Sequence, residues 1–242
     1  MDTIMHIEES ISTNKQLAEM DIFSLPPYFT LMADYQTQGK GRGNNQWHSR
    51  KKMNLLASTL LFPCIAPQRQ FDISCAYSLA VCQMLSEHCH IDNIRIKWPN
   101  DIYINDKKIA GILIEHHISG DSIKYSIIGI GLNVNQSVFP DFLPNPTSIA
   151  LCTGQTYPIE DILTRILQNL KHTLTLPHNT LHYLYTQLLY KRNEWVDFTI
   201  CDTGQNIKAC IQGVSPQGCL QVLTTEHRTL LFELNQIKYN LQ

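Results

Sequence analysis

No pair of the eight cysteines in this 242-residue chain has C-x-x-C spacing, so no zinc knuckle is written in the sequence. None of the ten histidines falls in an H-E-x-x-H pattern, and no metal site made by the protein alone is expected. Long apolar runs are missing too. Nothing approaches the roughly 20 residues of a membrane span, and the acidic start "MDTIMHIEES" is too polar for a signal peptide. These absences predict a cytoplasmic protein that does not enter a membrane. Net charge is only -2, which removes the electrostatic reason for general nucleic-acid binding. Repeats and low-complexity linkers are absent. What is there, 43% hydrophobic and 17% charged residues, describes an ordered chain that can bury one sizeable core with a small appended domain.

Periodicity divides the chain into elements. "IMHIEES" alternates like a strand, Ser12, Thr13 and Asn14 offer cap chemistry, and "KQLAEM" is a short helix. "YFTLMADYQ" and "NLLASTLLF" read as strands on either side of a basic loop. In "RQFDISCAYSLAVCQMLSEHC" the residues Ile73, Ala76, Ala80 and Met84 recur at helical spacing. Cys75, Cys82 and Cys89 recur every seven residues, as core thiols on one helical stripe in a reducing compartment would. "NIRIKWP", "DIYIN", "KKIAGILIEHHI" and "KYSIIGIGLNVN" read as strands, the middle two joined by a tight turn at Asp106. Two helices follow, "PIEDILTRILQNLKHTL" and "TLHYLYTQLLYKRNEW". From about residue 197 the texture becomes short strands with Gly204, Gly213 and Gly218 at the turns, as in a small β-barrel. The class is antiparallel α+β followed by a β-module.

Three polar clusters interrupt these strands. In "KGRGNNQWHSRKK" the cations Lys40, Arg42, Arg50, Lys51 and Lys52 occur with no acid, and the glycines fit neither usual phosphate-loop spacing. "KWPND" at 97–101 pairs with "KKIAG" at 107–111, and "GIGLNVN" ends at 135. Lys97, Asn100, Asp101 and Lys108 are costly to bury unless paired or liganded. Each cluster alone fits a surface turn or a strand end. Their joint order says more.

"STN" at 12–14, "YQTQGKGRG" followed by Trp47, "KWPNDIYINDKKIAGILIE" and "GIGLNVN" together resemble the biotin–protein ligases, distant relatives of the lipoate–protein ligases. The resemblance runs through nearly the whole chain. It implies a mixed-sheet catalytic domain of the class II aminoacyl-tRNA synthetase-like kind at 1–192, with helices on one side. An SH3-like barrel would follow at 193–242. The chain begins at the first catalytic strand, which implies the monofunctional type without a DNA-binding domain. The sequence departs from the family where Lys40 and Asn45 replace arginines, which bears on retention of an adenylate. It departs again at Leu234-Asn235-Gln236-Ile237, and no catalytic residue is carried over from the C-terminal module.

The implied chemistry accounts for the basic loop. A carboxylate cannot acylate an amine at neutral pH until its oxygen is made a leaving group. Attack on the α-phosphate of ATP does this, and two anions must then be held together. By the resemblance, Ser12, Thr13, Asn14 and Gln36 read the ureido ring of biotin, and Gly39, Lys40, Gly41, Arg42, Lys108 and Gly111 complete its site. Lys40, Arg42, Trp47, Asn100, Lys108 and Asn133 hold ATP or the adenylate, with Trp47 near the adenine. Lys108 and Arg42 act on the carboxylate and phosphate, and Asp101 orients the incoming lysine. Mg²⁺ accompanies ATP. The acceptor is a biotin carboxyl carrier protein or domain. The alternatives are a lipoate or octanoate ligase on the same scaffold and a biotin-binding regulator. Monomer and homodimer both remain open.

Overall fold

Strands whose alternate residues are Ile, Leu, Val and Ala must bury one face, and here they assemble into two sheets. The computed structural model describes residues 3–43 and 45–240, so Asn44 of the basic loop lies outside the described residues. The first sheet takes β1 (Ile4–Ser10), β2 (Thr30–Gln36), β3 (Leu55–Leu61), β4 (Ile94–Lys97), β5 (Asp101–Ile104), β6 (Lys107–Ser119) and β7 (Ser122–Leu132). Their order across the sheet is β1-β2-β3-β7-β6-β5-β4, with β1 parallel to β2 and every other neighbouring pair antiparallel.

One face carries the main core. Leu55, Ala57, Ile128, Ile130, Ala110 and Ile112 pack there with α2 (Gln70–Glu87), α4 (Ile159–Thr173) and α5 (His178–Gln187). The short α3 (Ile149–Thr153) precedes α4 and is N-capped by the Ser148 side chain. Ile162, Ile166 and Leu170 of α4 are wholly buried, each contributing about 1.5–3 kcal/mol by leaving water. Because α4 and α5 cover its back, α2 is buried round most of its circumference, beyond the single stripe its spacing predicts. The expected cysteine stripe is buried there; Cys64, Cys152 and Cys201, by contrast, are exposed, and every cysteine is free. No helix among the described residues is long and apolar enough to cross a membrane.

The opposite face corrects the expectation of helices on one side only. There α1 (Thr13–Ala18) sits over β2, β3 and β7, where Leu17 meets Leu31, Leu60 and Ile127 in a separate small core. The second predicted helix also ends early, at Gln187. Leu188 and Tyr190 give their backbone groups to Ile96, extending the exposed edge of β4.

The second sheet takes β8 (Trp195–Ile200), β9 (Asn206–Val214), β10 (Leu220–Thr224), β11 (Thr229–Phe232) and β12 (Ile237–Tyr239), in the open antiparallel order β11-β10-β9-β8-β12. Gly204 and Gly218 take the left-handed backbone of turns, as predicted. Gly213 instead lies inside β9, where the pairing with β10 shifts register. The apolar residues of this sheet join the main core, and Trp98 Nε1 donates to Gly218 O at 2.8 Å across the seam.

Candidate active site

Cross-strand register puts two rows of residues on the α1 face of the first sheet. Leu56, Gly131, Gly111 and Asp101 are successive partners in one row, and Leu31, Ser58, Gly129 and Leu113 in the next. Strand β7 supplies isoleucine to the core face and glycine to this one, leaving room above the sheet. That room is used. A methyl group on Gly131 would collide with the Trp47 indole, and one on Gly129 with the Asn14 carboxamide.

Lys108 reaches the same face through a bulge. It lies three residues before Gly111, and regular alternation would put the two on opposite faces. Tyr103 pairs with Lys108 but Ile102 with Ala110, so Ile109 is an extra residue. Ile109 and Ala110 both enter the core, and the bulge re-aims Lys108. Its Nζ lies 2.7 Å from Asp101 Oδ1 and 5.7 Å from the Trp47 ring centroid.

The resulting cavity has a volume of about 340 Å³, within the range of small-molecule sites. Its inner wall is polar. Gln36 Oε1 accepts from Thr13 N at 2.7 Å, and Ser58 Oγ lies 2.7 Å from Thr13 Oγ1 and 2.6 Å from Asn14 Oδ1. Asn14 Nδ2 donates to Glu115 Oε2 at 2.7 Å and to Leu113 O at 3.3 Å, so both ends of the amide are held. Ser12 occupies the N-cap position of α1 without a side-chain capping bond and lines the cavity instead.

The outer wall is cationic. Lys40, Arg42, Lys97, Lys108 and Lys238 line the cavity, and Asp101 is the only carboxylate among the lining residues. The basic loop closes as a hairpin, with Gly41 N donating to Asn45 O and Trp47 N to Gly39 O, both at 2.8 Å. Arg42 Nη2 donates to Asn235 Oδ1 at 3.1 Å, tying the loop to the second sheet. Burial lowers the Arg42 pKa from its ordinary value, opposed by Asp101. Burial also lowers that of Lys97; Asp101 opposes it, while Lys108 and Lys238 reinforce it. The Lys97 ammonium sits over the rings of Tyr103 and Tyr239.

Of the residues singled out in the sequence, 12–14, 36, 40–42, 47, 100, 101, 108 and 111 line this one cavity. Gly39 stands behind it, with Trp47 O against the position a side chain would need. Asn133 is not brought in. It lies beyond the end of β7, 5% exposed, where Nδ2 donates to Thr147 O and Oδ1 has no partner among the described residues. Sequence reasoning missed Ser58 and Glu115, which hold Thr13 and Asn14 from behind the wall, and the contributions of Asn235, Lys238 and Tyr239 from the second sheet. The glycines at every second position of "GIGL" were a usable sign of a bare strand face.

Residues 8–133 match the family model described as Biotin/lipoate A/B protein ligase family. This chain belongs to that family. Among curated relatives, the bifunctional ligase/repressor BirA of Bacillus subtilis (strain 168) is 37% identical over 159 residues, 64% of this chain and 49% of that protein. Human biotin--protein ligase is 32% identical over 189 residues, 75% of this chain and 23% of that protein. The chain thus spans about half the length or less of these curated relatives. Among solved structures, the biotin protein ligase from Aquifex aeolicus in complex with biotin and ATP superposes over 100% of both chains with a TM-score of 0.83 at 25% identity.

Proposed function

We propose that this chain ligates biotin, through biotinyl-5'-AMP, to a lysine of a biotin carboxyl carrier protein or domain. The observation that carries this reading is one cavity with a polar amide-and-hydroxyl wall at one end and a cluster of cations at the other. The relatives named as biotin ligases and the Aquifex structure with biotin and ATP support it.

In the first step a biotin carboxylate oxygen attacks the α-phosphorus and the bond to pyrophosphate breaks. Arg42 and Lys108, with Lys40, hold the two anions together and offset the charge that builds on the phosphate oxygens. Lys108 is positioned for this by Asp101. In the second step the acceptor amine attacks the acyl carbon and AMP leaves, with Asp101 orienting the amine and receiving its proton. Thr13, Asn14 and Gln36 read the ureido ring, and Trp47 and Asn100 face the nucleotide. Mg²⁺ would arrive on the ATP phosphates and water, because Asp101, the one carboxylate lining the cavity among the described residues, is engaged by Lys108. In this reading residues 1–192 are a synthetase-like catalytic domain, and 193–242 an SH3-like module that contributes Asn235 and Lys238 to the outer wall.

A lipoate or octanoate ligase would want an apolar channel where Thr13, Asn14, Gln36 and Ser58 stand, so biotin is the favoured acid. Exchange of labelled pyrophosphate into ATP should require biotin. Equal exchange with lipoate or octanoate, or none with biotin, would remove the assignment.

A further inference from the structure

On the helical side of the sheet, a cluster that the proposed chemistry does not use joins the first turn of α2 to the start of α5. His178 and His182 lie four residues apart, so both rings leave one face of α5. His178 Nδ1 and His182 Nε2 approach the same oxygen, Asp72 Oδ1, at 2.7 and 2.9 Å. The other oxygen, Oδ2, accepts from Arg69 Nε at 2.9 Å and Nη2 at 2.7 Å. The ligand atoms of Asp72, His178 and His182 all lie within 4.8 Å of one another.

We propose that Asp72, His178 and His182 bind a divalent transition-metal ion of the zinc class, with water completing a tetrahedron. Two imidazoles and a carboxylate are ligands that Zn²⁺ takes, at about 2.0–2.2 Å. Ligand atoms on such a tetrahedron sit roughly 3.3 Å apart. The two pairs that now touch need to separate by about half an ångström, and the two ring nitrogens, within 4.8 Å of each other, to close by up to about 1.5 Å. Arg69 supplies, through Oδ2, the outer hydrogen bonds that orient a ligating carboxylate, and the two imidazoles that now bond to Oδ1 would turn their nitrogens to the ion. Its charge opposes a cation, but its side chain is 51% exposed and screened by water, whereas that of Asp72 is 9% exposed. His178, at 28% exposure, leaves a solvent-facing side for the water ligand.

The ion's role would be structural, clipping α2 to α5. Phe71, next to Asp72, packs on Gly218 of the second sheet, and Tyr185 Oη donates to Pro99 O beside the active-site segment.

The test is titration of chelator-stripped full-length protein with Co²⁺ and then Zn²⁺. One equivalent of Co²⁺ should give the visible absorption of tetrahedral nitrogen and oxygen ligation, and Zn²⁺ should displace it and raise the melting temperature. His178→Gln and His182→Gln should each weaken Zn²⁺ affinity by at least ~10–100-fold. No tetrahedral spectrum together with no thermal shift would overturn the site. So would undiminished stoichiometry and affinity in the double variant. A thiolate-to-cobalt charge-transfer band in the wild-type protein would do the same, assigning the ion to Cys64, Cys152 or Cys201 without relying on any variant to fold.

Discussion

Replacing Lys108 with alanine should separate catalysis from stability. Its Nζ is 2.7 Å from Asp101 Oδ1, but the two side chains are 32% and 22% exposed. An ion pair in that much water contributes about 0–1 kcal/mol to folding. For a chain of this size the melting temperature should fall by no more than about 2–4 °C. In the proposed reaction the same ammonium faces charge that grows on the phosphate, where one lost donor costs about 3 kcal/mol or more. That is roughly 150-fold in rate. Asp101, left without its nearest partner and offset only by Arg42 and Lys97, would then face the phosphates as an anion. The double variant Lys108→Ala/Asp101→Asn should therefore recover part of the loss. Biotin-dependent pyrophosphate exchange gives the rate, and thermal melting gives the stability. A loss below tenfold at saturating substrates would refute the assignment and return Lys108 to an ordinary surface role. A melting temperature lowered in proportion to activity would also refute it, since the defect would then be one of folding.

Gly129→Ala would press a methyl group on an Asn14 amide already held by Ser58, Leu113 and Glu115, costing about 1–3 kcal/mol. Calorimetry should find biotin affinity lost with ATP-analogue affinity retained; unchanged biotin binding would contradict the ring-reading role. Arg42→Gly should leave the wall at 12–14 and 36 in place but let the adenylate escape, so that bystander lysines are acylated. Slower adenylate formation is expected alongside the leakage, from the charge that Arg42 offsets; an adenylate still tightly held by the variant would refute the retaining role. His116, held below its ordinary pKa by burial, should tie stability to pH. The unfolded chain takes up its proton first, so its contribution is complete above about pH 6.5 and declines as pH falls through that value towards the folded pKa. Melting temperatures of His116→Gln should show a flatter acid limb, and an unchanged slope would reject this source.

Local pattern was enough to place most strands and helices, because each element buries one face and its apolar spacing records which. Local pattern could only mark "GKGRG", "KWPND" and "KKIAG" as polar interruptions; it was the resemblance to the biotin–protein ligases, carried by their order along the chain, that brought them and "STN" under one expectation. Two-residue alternation, however, could not say that Lys108 shares a face with Gly111. One extra residue at Ile109 reverses that parity, and bulges leave no mark in composition. The early end of the second helix depended on a backbone partner, Ile96, far away in the chain. The link between Arg42 and Asn235 spans 193 residues, and a second sheet whose sequence matched the family poorly still delivers Asn235, Lys238 and Tyr239 to the cavity. Asn133, singled out with "GIGLNVN", lies just past the end of β7 and gives its amide to Thr147 O. Residue types set what chemistry the chain could hold. Tertiary packing decided which groups meet, because register, bulges and the docking of the two sheets are settled by contacts between segments that no local window contains.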